Sequence, residues 1–238
     1  MNKELLTKNN ETAVLTQGIE ILCKNDSDIN SLISSCSEKI NLTLSRYIKE
    51  IELFNKAYSL VGAGDTEELV IKHILDSIAP LGIIFRLLKK LNATNNTQIA
   101  YQIADAGSGA GLPGIPLAIT LPQCNFSLIE RMGRRAGFLC NTKAVLSLTN
   151  INVEESELEK IAHNKFDLVT FRAFKPIEPK LLKTLFNICK DGGIIAAYKG
   201  KIEKIEEEMS FLERTKWEAI PYSVPFLNEK RHMLIIKR

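Results

Sequence analysis

Between positions 105 and 114 the chain reads Asp105-Ala106-Gly107-Ser108-Gly109-Ala110-Gly111-Leu112-Pro113-Gly114. Glycines at this density let a backbone turn sharply and let a ligand lie against bare main chain at the start of a helix. Glu130 stands 23 residues after Gly107, where a carboxylate can accept hydrogen bonds from ribose hydroxyls. The two features together call for a ligand that contains a nucleoside. Gly109 to Gly114 also fits the dinucleotide pattern G-x-G-x-x-G, so a nicotinamide-type oxidoreductase is a rival reading. Asp105 weighs against it, because its carboxylate would face a pyrophosphate with like charge. S-adenosylmethionine carries an ammonium and a sulfonium and no phosphate, so an acid at the loop suits it better. The loop alone favours methyl transfer without settling it.

Elements that position such a loop are legible around it. A strand is expected over 101–104, followed by strands over 125–129, 151–154, 167–171, 194–198, 217–224 and 233–236. Helical stretches over 115–120, 134–148, 158–162 and 177–189 separate the first five. Strands alternating with helices require a parallel sheet covered on both faces, and the last two strands read as an antiparallel pair. Ahead of this α/β part, Leu32, Ile33, Ile40, Leu44, Ile48, Ile51 and Phe54 recur at helical spacing. After a break at Gly62-Ala63-Gly64, Asp65-Thr66-Glu67-Glu68 reads as a helix start. The expected organisation is a helical region over 1–66 and a doubly wound domain over 67–238.

Composition narrows the class. The chain has 238 residues, 45% hydrophobic and 25% charged, enough for a real core and unlike a collagen repeat, a disordered tail or a disulfide miniprotein. Cys23, Cys36, Cys124, Cys140 and Cys189 are scattered, without a C-x-x-C pair or a Cys/His cluster. They read as reduced thiols, and neither zinc nor another metal is expected. No signal or membrane segment is visible, so a cytoplasmic location is expected, and a monomer with it. The net charge of +3 hides an asymmetry: residues 1–100 hold 11 Lys and Arg against 12 acids, and residues 101–238 hold 20 against 16. A modestly basic back half hints at an anionic partner.

Several segments then carry a resemblance. Phe54-Asn55-Lys56 and Leu69-Val70-Ile71-Lys72-His73-Ile74-Leu75-Asp76-Ser77 precede the loop, whose continuation Leu112-Pro113-Gly114-Ile115-Pro116-Leu117 holds two prolines. Arg131-Met132-Gly133-Arg134-Arg135 and Phe138-Leu139 follow the second strand. Phe171-Arg172-Ala173-Phe174, Tyr198-Lys199-Gly200 and Arg231-His232-Met233 come later. In this order and spacing, from about Phe54 to Arg238, they resemble the bacterial 16S ribosomal RNA guanine-N7 methyltransferase family, called GidB or RsmG. Phe171 replaces the serine of the family's S-R-A-F, and Ser59-Leu60-Val61 replaces its N-L-T.

The resemblance implies a Rossmann-like class I methyltransferase sheet, S-adenosyl-L-methionine as cofactor, and 16S RNA or the small ribosomal subunit as partner. It implies cofactor contacts at Gly107, Leu112, Leu158, Glu159 and Arg172, with Gly109 in the same loop. Glu130 becomes the ribose acid and Asp105 the acid near the methionine end. Guanine N7 is a lone-pair nucleophile without a proton, so no catalytic base is expected, only positioning, with Arg172 a candidate. The chain lacks both the D/N-P-P-Y/F segment of amine methylation and a Pro-Cys nucleophile. Arg131, Arg134, Arg135, Lys199 and Arg231, with Lys175 and Lys201, are expected near the ligand rim, where cations can hold RNA phosphates. A small-molecule or protein methyltransferase, or a non-catalytic RNA-binding factor, would use the same fold.

Each of these residues has a plainer reading. Arg134 and Arg135 could equally solvate a helix start. Lys201, Lys204 and Glu206-Glu207-Glu208 are expected to form a solvated helix with i,i+4 pairs. His73 and His163 read as surface or capping residues, and His232 as either core or rim. Phe174 and Tyr198 could stack on a base or pack in the core.

Overall fold

At the centre of the computed structural model, which describes residues 3–92, 100–172, 176–212 and 215–237, lies the short apolar strand β1 (Gln102–Ala106). It pairs in parallel with β2 (Asn125–Glu130) on one side and β4 (Phe166–Arg172) on the other. β3 (Ile151–Glu155) extends the sheet beyond β2, and β5 (Cys189–Lys199) extends it beyond β4. β7 (Arg231–Lys237) adds antiparallel to β5, and β6 (Lys216–Tyr222) closes the edge antiparallel to β7. The order is therefore β3-β2-β1-β4-β5-β7-β6, a doubly wound sheet with one antiparallel edge. β1, β4 and β5 are covered on both faces, which is why they read as nearly unbroken apolar runs. β6 is half exposed and carries Pro221, as an edge strand can. β5 starts earlier than the sequence suggests, because a register shift opposite Phe166 and Leu168 accommodates Gly192 in the left-handed region.

One face of the sheet carries α7 (Gly114–Thr120) and α8 (Gly133–Val145), and the other carries α9 (Pro179–Ile188) and α10 (Ile202–Ser210). The front helices are α1 (Lys3–Asn25), α2 (Ser27–Ile33) and α3 (Ser37–Tyr58). A continuous run follows: α4 (Thr66–Leu69), a π-helical stretch (Val70–Leu75) and α5 (Asp76–Ile78), and then α6 (Leu81–Asn92). In α3, Ile40, Leu44, Tyr47, Ile48 and Ile51 are buried at helical spacing, as one apolar stripe demands. Its end is set by Ser59 in the left-handed region, where the family's asparagine would be at greater ease. The Asn55 amide then closes the loop, accepting from the Val61 N–H and donating to the Val61 carbonyl. Asp65 caps α4 by accepting from the Glu68 N–H, while Glu68 accepts from the Gly64 N–H.

The front helices do not build a core of their own. Leu44, Ile51 and Ile74 belong to the same buried cluster as Leu117, Phe126 and Phe138, so apolar packing runs without a break across position 66. The second cluster, under α9 and α10, is made by Val169, Ile195, Leu185 and Ile205. Among the described residues no helix is long and apolar enough to cross a membrane.

Candidate functional site

The chain leaves β1 toward β2 and β3 and returns to β4 on the other side of β1. That reversal opens a crevice at the carboxyl ends of β1 and β4, where ligands bind in open α/β sheets. The glycine loop fills the approach to it. Gly107, Gly109 and Gly111 have φ of 71°, 58° and 88°, conformations that side chains resist. Gly107 and Ser108 donate backbone N–H bonds of 2.9 and 3.0 Å to the Ile129 carbonyl, which lashes the loop to β2. From the other side, the buried Tyr47 hydroxyl of α3 donates to the Ala110 carbonyl at 2.6 Å.

Asp105, at the end of β1, is fully buried. Its Oδ2 accepts from the Gly114 N–H at 3.0 Å, joining the strand to the start of α7. A Cβ at Gly114 would come within 2.6 Å of that oxygen and 2.4 Å of Leu128, so only glycine allows the contact. Asp105 Oδ1 has no partner among the described residues. Burial pushes its carboxyl up to about 7, and the Gly114 N–H pulls part of the way back.

Glu130 ends β2 with its carboxylate almost buried. One oxygen accepts from the Gly109 N–H and the other from the Met132 N–H, each at 2.9 Å. Those bonds fix the carboxylate's plane and leave each oxygen a further lone pair for a ribose hydroxyl. Beside it opens a cavity of about 750 Å³. Gly107, Glu130, Arg131, Arg135, Leu158 and Glu159 line it, so four of the expected cofactor residues and two of the expected RNA cations converge there. Leu158 and Glu159 reach it from a 3-10 turn, Leu158–Lys160. Asp105, Gly109, Leu112 and Arg172 are not on its wall; the first three shape the loop behind it.

The cations expected at the rim divide into two groups. Arg131 and Arg134 are exposed and Arg135 half-buried after β2, and none of the three makes an ion pair among the described residues. The cations after β4, β5 and before β7 turn inward instead. Arg172 donates to the carbonyls of Lys72 and His73, exposed by the π-helical stretch, and to Asp76 Oδ2 at 3.2 Å. Arg231 Nε lies 3.3 Å from Asp76 Oδ1, to which the Tyr222 hydroxyl also donates. Lys199 donates to both oxygens of Glu208, at 2.8 and 2.7 Å. Lys199 and Arg231 therefore have acidic partners in the fold, Glu208 for the first and Asp76 with Glu229 for the second. Lys201 is exposed, and Phe174 and Lys175 lie outside the described residues.

Other expectations shift with this arrangement. Glu208 faces the core side of α10, holding Lys199 and the Ile177 N–H, rather than a solvated i,i+4 partner. His73 is half-buried, and its Nδ1 lies 3.1 Å from Arg172 Nη2. Burial, then the Arg172 charge, lowers its pKa to about 4, so the ring stays neutral. His163 is exposed, and His232 is buried with Nδ1 2.6 Å from the Gly200 carbonyl. Tyr198 is buried, donates to the Ser77 carbonyl and packs edge-on against Tyr222, which is a core role. Phe171, where the family has serine, is buried with the Lys199 ammonium over its ring at 6.0 Å.

Two residues were given no role by the sequence reading: Tyr47 and Asp76. Asp76 had a signal, an acid set among Ile74, Leu75 and Ile78 on a helix face that must be buried. Tyr47 also sits on the apolar stripe of α3, and only its hydroxyl hints at a partner.

Known proteins share this architecture and this sequence. Positions 40–235 match the family model of GidB, rRNA small subunit methyltransferase G. A Treponema denticola protein named ribosomal RNA small subunit methyltransferase G is 38% identical, covering 100% of this chain and 97% of its own length. One of the same name from Actinobacillus succinogenes is 32% identical over 96% of this chain and 99% of its own. By structure, a SAM-dependent methyltransferase from Aquifex aeolicus superposes with a TM-score of 0.52 at 15% identity, covering 68% of this chain and 91% of its own. That likeness is one of fold. With a family match over most of its length and relatives alike from end to end, this chain belongs to the GidB family, the small-subunit rRNA methyltransferases G.

Proposed function

We propose that the protein methylates N7 of a guanine in small-subunit ribosomal RNA, with S-adenosyl-L-methionine as methyl donor. The observation that carries the reading is the cavity in which the anchored Glu130 carboxylate stands beside Arg131 and Arg135. A nucleoside acceptor site and unpaired cations share one opening, as transfer from a nucleoside cofactor to an RNA requires.

When bound, the cofactor supplies an electrophilic methyl group on a sulfonium. Glu130 would hold its ribose, and Gly107, Leu158 and Glu159 would line the remainder of the nucleoside site. Asp105 Oδ1, buried and unpartnered among the described residues, is an acceptor that a cationic methionine end would satisfy, and the Gly114 N–H on the other oxygen keeps the carboxyl in place. Arg131, Arg134 and Arg135 would hold phosphates and present an unstacked base to the crevice. N7 attacks with its own lone pair, so orientation supplies most of the rate and no residue has to take a proton. The described cavity wall agrees with that economy in carrying no cysteine for attack on a pyrimidine carbon. Action on ribosomal RNA fits a cytoplasmic location.

Mass mapping of nuclease fragments from small-subunit RNA, incubated with the protein and S-adenosylmethionine, tests the reading. A single guanine gaining one methyl group, in a form that sensitises the strand to cleavage at that N7, is the expected result. Methylation confined to other positions, or none on naked RNA or on intact subunits, would overturn it.

A further inference from the structure

Helix α3 buries one stripe and leaves the opposite one at the surface. Leu42, Arg46, Lys49, Leu53 and Lys56 recur at spacings of four, three, four and three, and all five are exposed. Leu42 and Leu53 are 63% and 70% exposed, unusual for leucines on a helix anchored this firmly. Arg46, Lys49 and Lys56 make no ion pair among the described residues, although Glu50 and Glu52 lie on the same helix. Glu50 is turned away to the Asn141 amide on α8, and Glu52 to the Thr66 hydroxyl. Glu38 stands one turn before Leu42 on this stripe, and the charges at the five positions from Leu42 to Lys56 are all cations.

The stripe also has a direction. Arg46 donates to the Val145 carbonyl at 2.6 Å, Glu50 meets Asn141, and the Phe54 ring packs on Phe138 at 5.6 Å. Rising numbers on α3 thus meet falling numbers on α8. The next position of the same α8 row is Arg134, one turn from the Glu130 end of β2. The cations of α3 therefore lead toward the open rim of the cavity. At 1.5 Å per residue, Arg46 to Lys56 spans roughly 15 Å of helix.

We propose that this face of α3 is a docking surface for the RNA backbone, a second contact outside the nucleotide that enters the crevice. Its ligand is a run of phosphates in the same RNA, and this rests on the reading of the protein as an RNA methyltransferase. Cations spread along such a track neutralise phosphates, and the two exposed leucines lie flat against sugar and base surfaces between them. Because the opposite face of α3 carries the Tyr47 clamp on the glycine loop, the docking surface is rigidly registered to the cofactor site.

The test uses the full chain with Lys49→Glu and Lys56→Glu combined, two changes at exposed residues that make no ion pair among the described residues. Binding of small-subunit RNA is read by fluorescence anisotropy across a salt series, S-adenosylmethionine affinity by calorimetry, and methyl transfer by label incorporation. Expected are at least a tenfold weaker RNA affinity, a salt dependence flattened by between one and two counterions, a raised KM with kcat held, and unchanged cofactor affinity. RNA affinity and salt slope equal to the wild type overturn the docking surface. So does a variant that binds free RNA normally yet loses affinity for intact subunits, which would assign the face to a ribosomal protein. Anisotropy decides the matter even where the wild type transfers no methyl group, an outcome that would sink the proposed reaction instead.

Discussion

The two groups of cations expected around the ligand start from the same kind of residue and end in opposite states. After β2, Arg131, Arg134 and Arg135 make no ion pair among the described residues. Across the switch point, Arg172 and Arg231 share the buried Asp76, and Lys199 is gripped by Glu208. The first group keeps its charges unpaired among the described residues; the second uses them to join β4, β5, β6 and β7 to the front helices and α10. Basic residues that follow strand ends are thus not interchangeable signals, and the difference lies in whether an acid from elsewhere in the chain reaches them.

The sharpest way to break this contrast is Asp76→Ala. It leaves Arg172 without its carboxylate in a nearly buried place and Arg231 with the exposed Glu229, and a loss of about 3–5 kcal/mol in urea denaturation is expected. A loss under about 1 kcal/mol would mean that the paired group is not structural.

Two groups that feel the Arg172 charge, Asp105 and His73, titrate in opposite senses. Asp105, raised to about 7, favours the fold below its ordinary value of 3.8 and gives up that contribution as pH rises through 7. His73, lowered to about 4, contributes above its ordinary 6.5 and loses its share as pH falls through 4. Between these limits the two oppose each other. Asp105→Asn is therefore expected to make stability rise with pH relative to wild type between about pH 4 and 6.5, and His73→Gln to make it fall. Each slope should reach at most about 1.4 kcal/mol per pH unit in melts taken across that range. Parallel curves for all three proteins would remove both assignments.

Tyr47→Phe probes the link between α3 and the glycine loop. Without the hydroxyl, the Ala110 carbonyl loses its buried donor, at a cost of about 1–2 kcal/mol. A several-fold weaker S-adenosylmethionine affinity is expected by calorimetry, since the loop loses a tie on the side away from β2. The smallest effect on stability belongs to the unpaired group. Arg131→Ala with Arg134→Ala should stay within about 0.5 kcal/mol of wild type while RNA affinity falls and its salt slope flattens. If that pair unfolds the protein, the distinction between the two groups of cations fails.

Much of this was legible in advance. Periodicity marked the apolar strands and the stripe of α3, because burial on one or both faces leaves its imprint on neighbouring residues. The glycine loop and Glu130 were visible for a similar reason: a tight strand-to-helix turn needs residues that tolerate positive φ, and those residues are adjacent in the chain. The early start of β5 escaped detection, since its bulge depends on register against Phe166 rather than on local pattern.

What the amino-acid sequence determined by itself was the local order: helices first, then strand, glycine turn and helix, with an acid at the end of the second strand. Family membership followed from the same order. The tertiary structure alone decided which charges are available. Asp76 meets Arg172 across 96 positions, and Arg46 meets Val145 across 99. Such pairings follow from how the front helices pack on the sheet, and a one-dimensional pattern of lysines and arginines holds no record of where their partners fold.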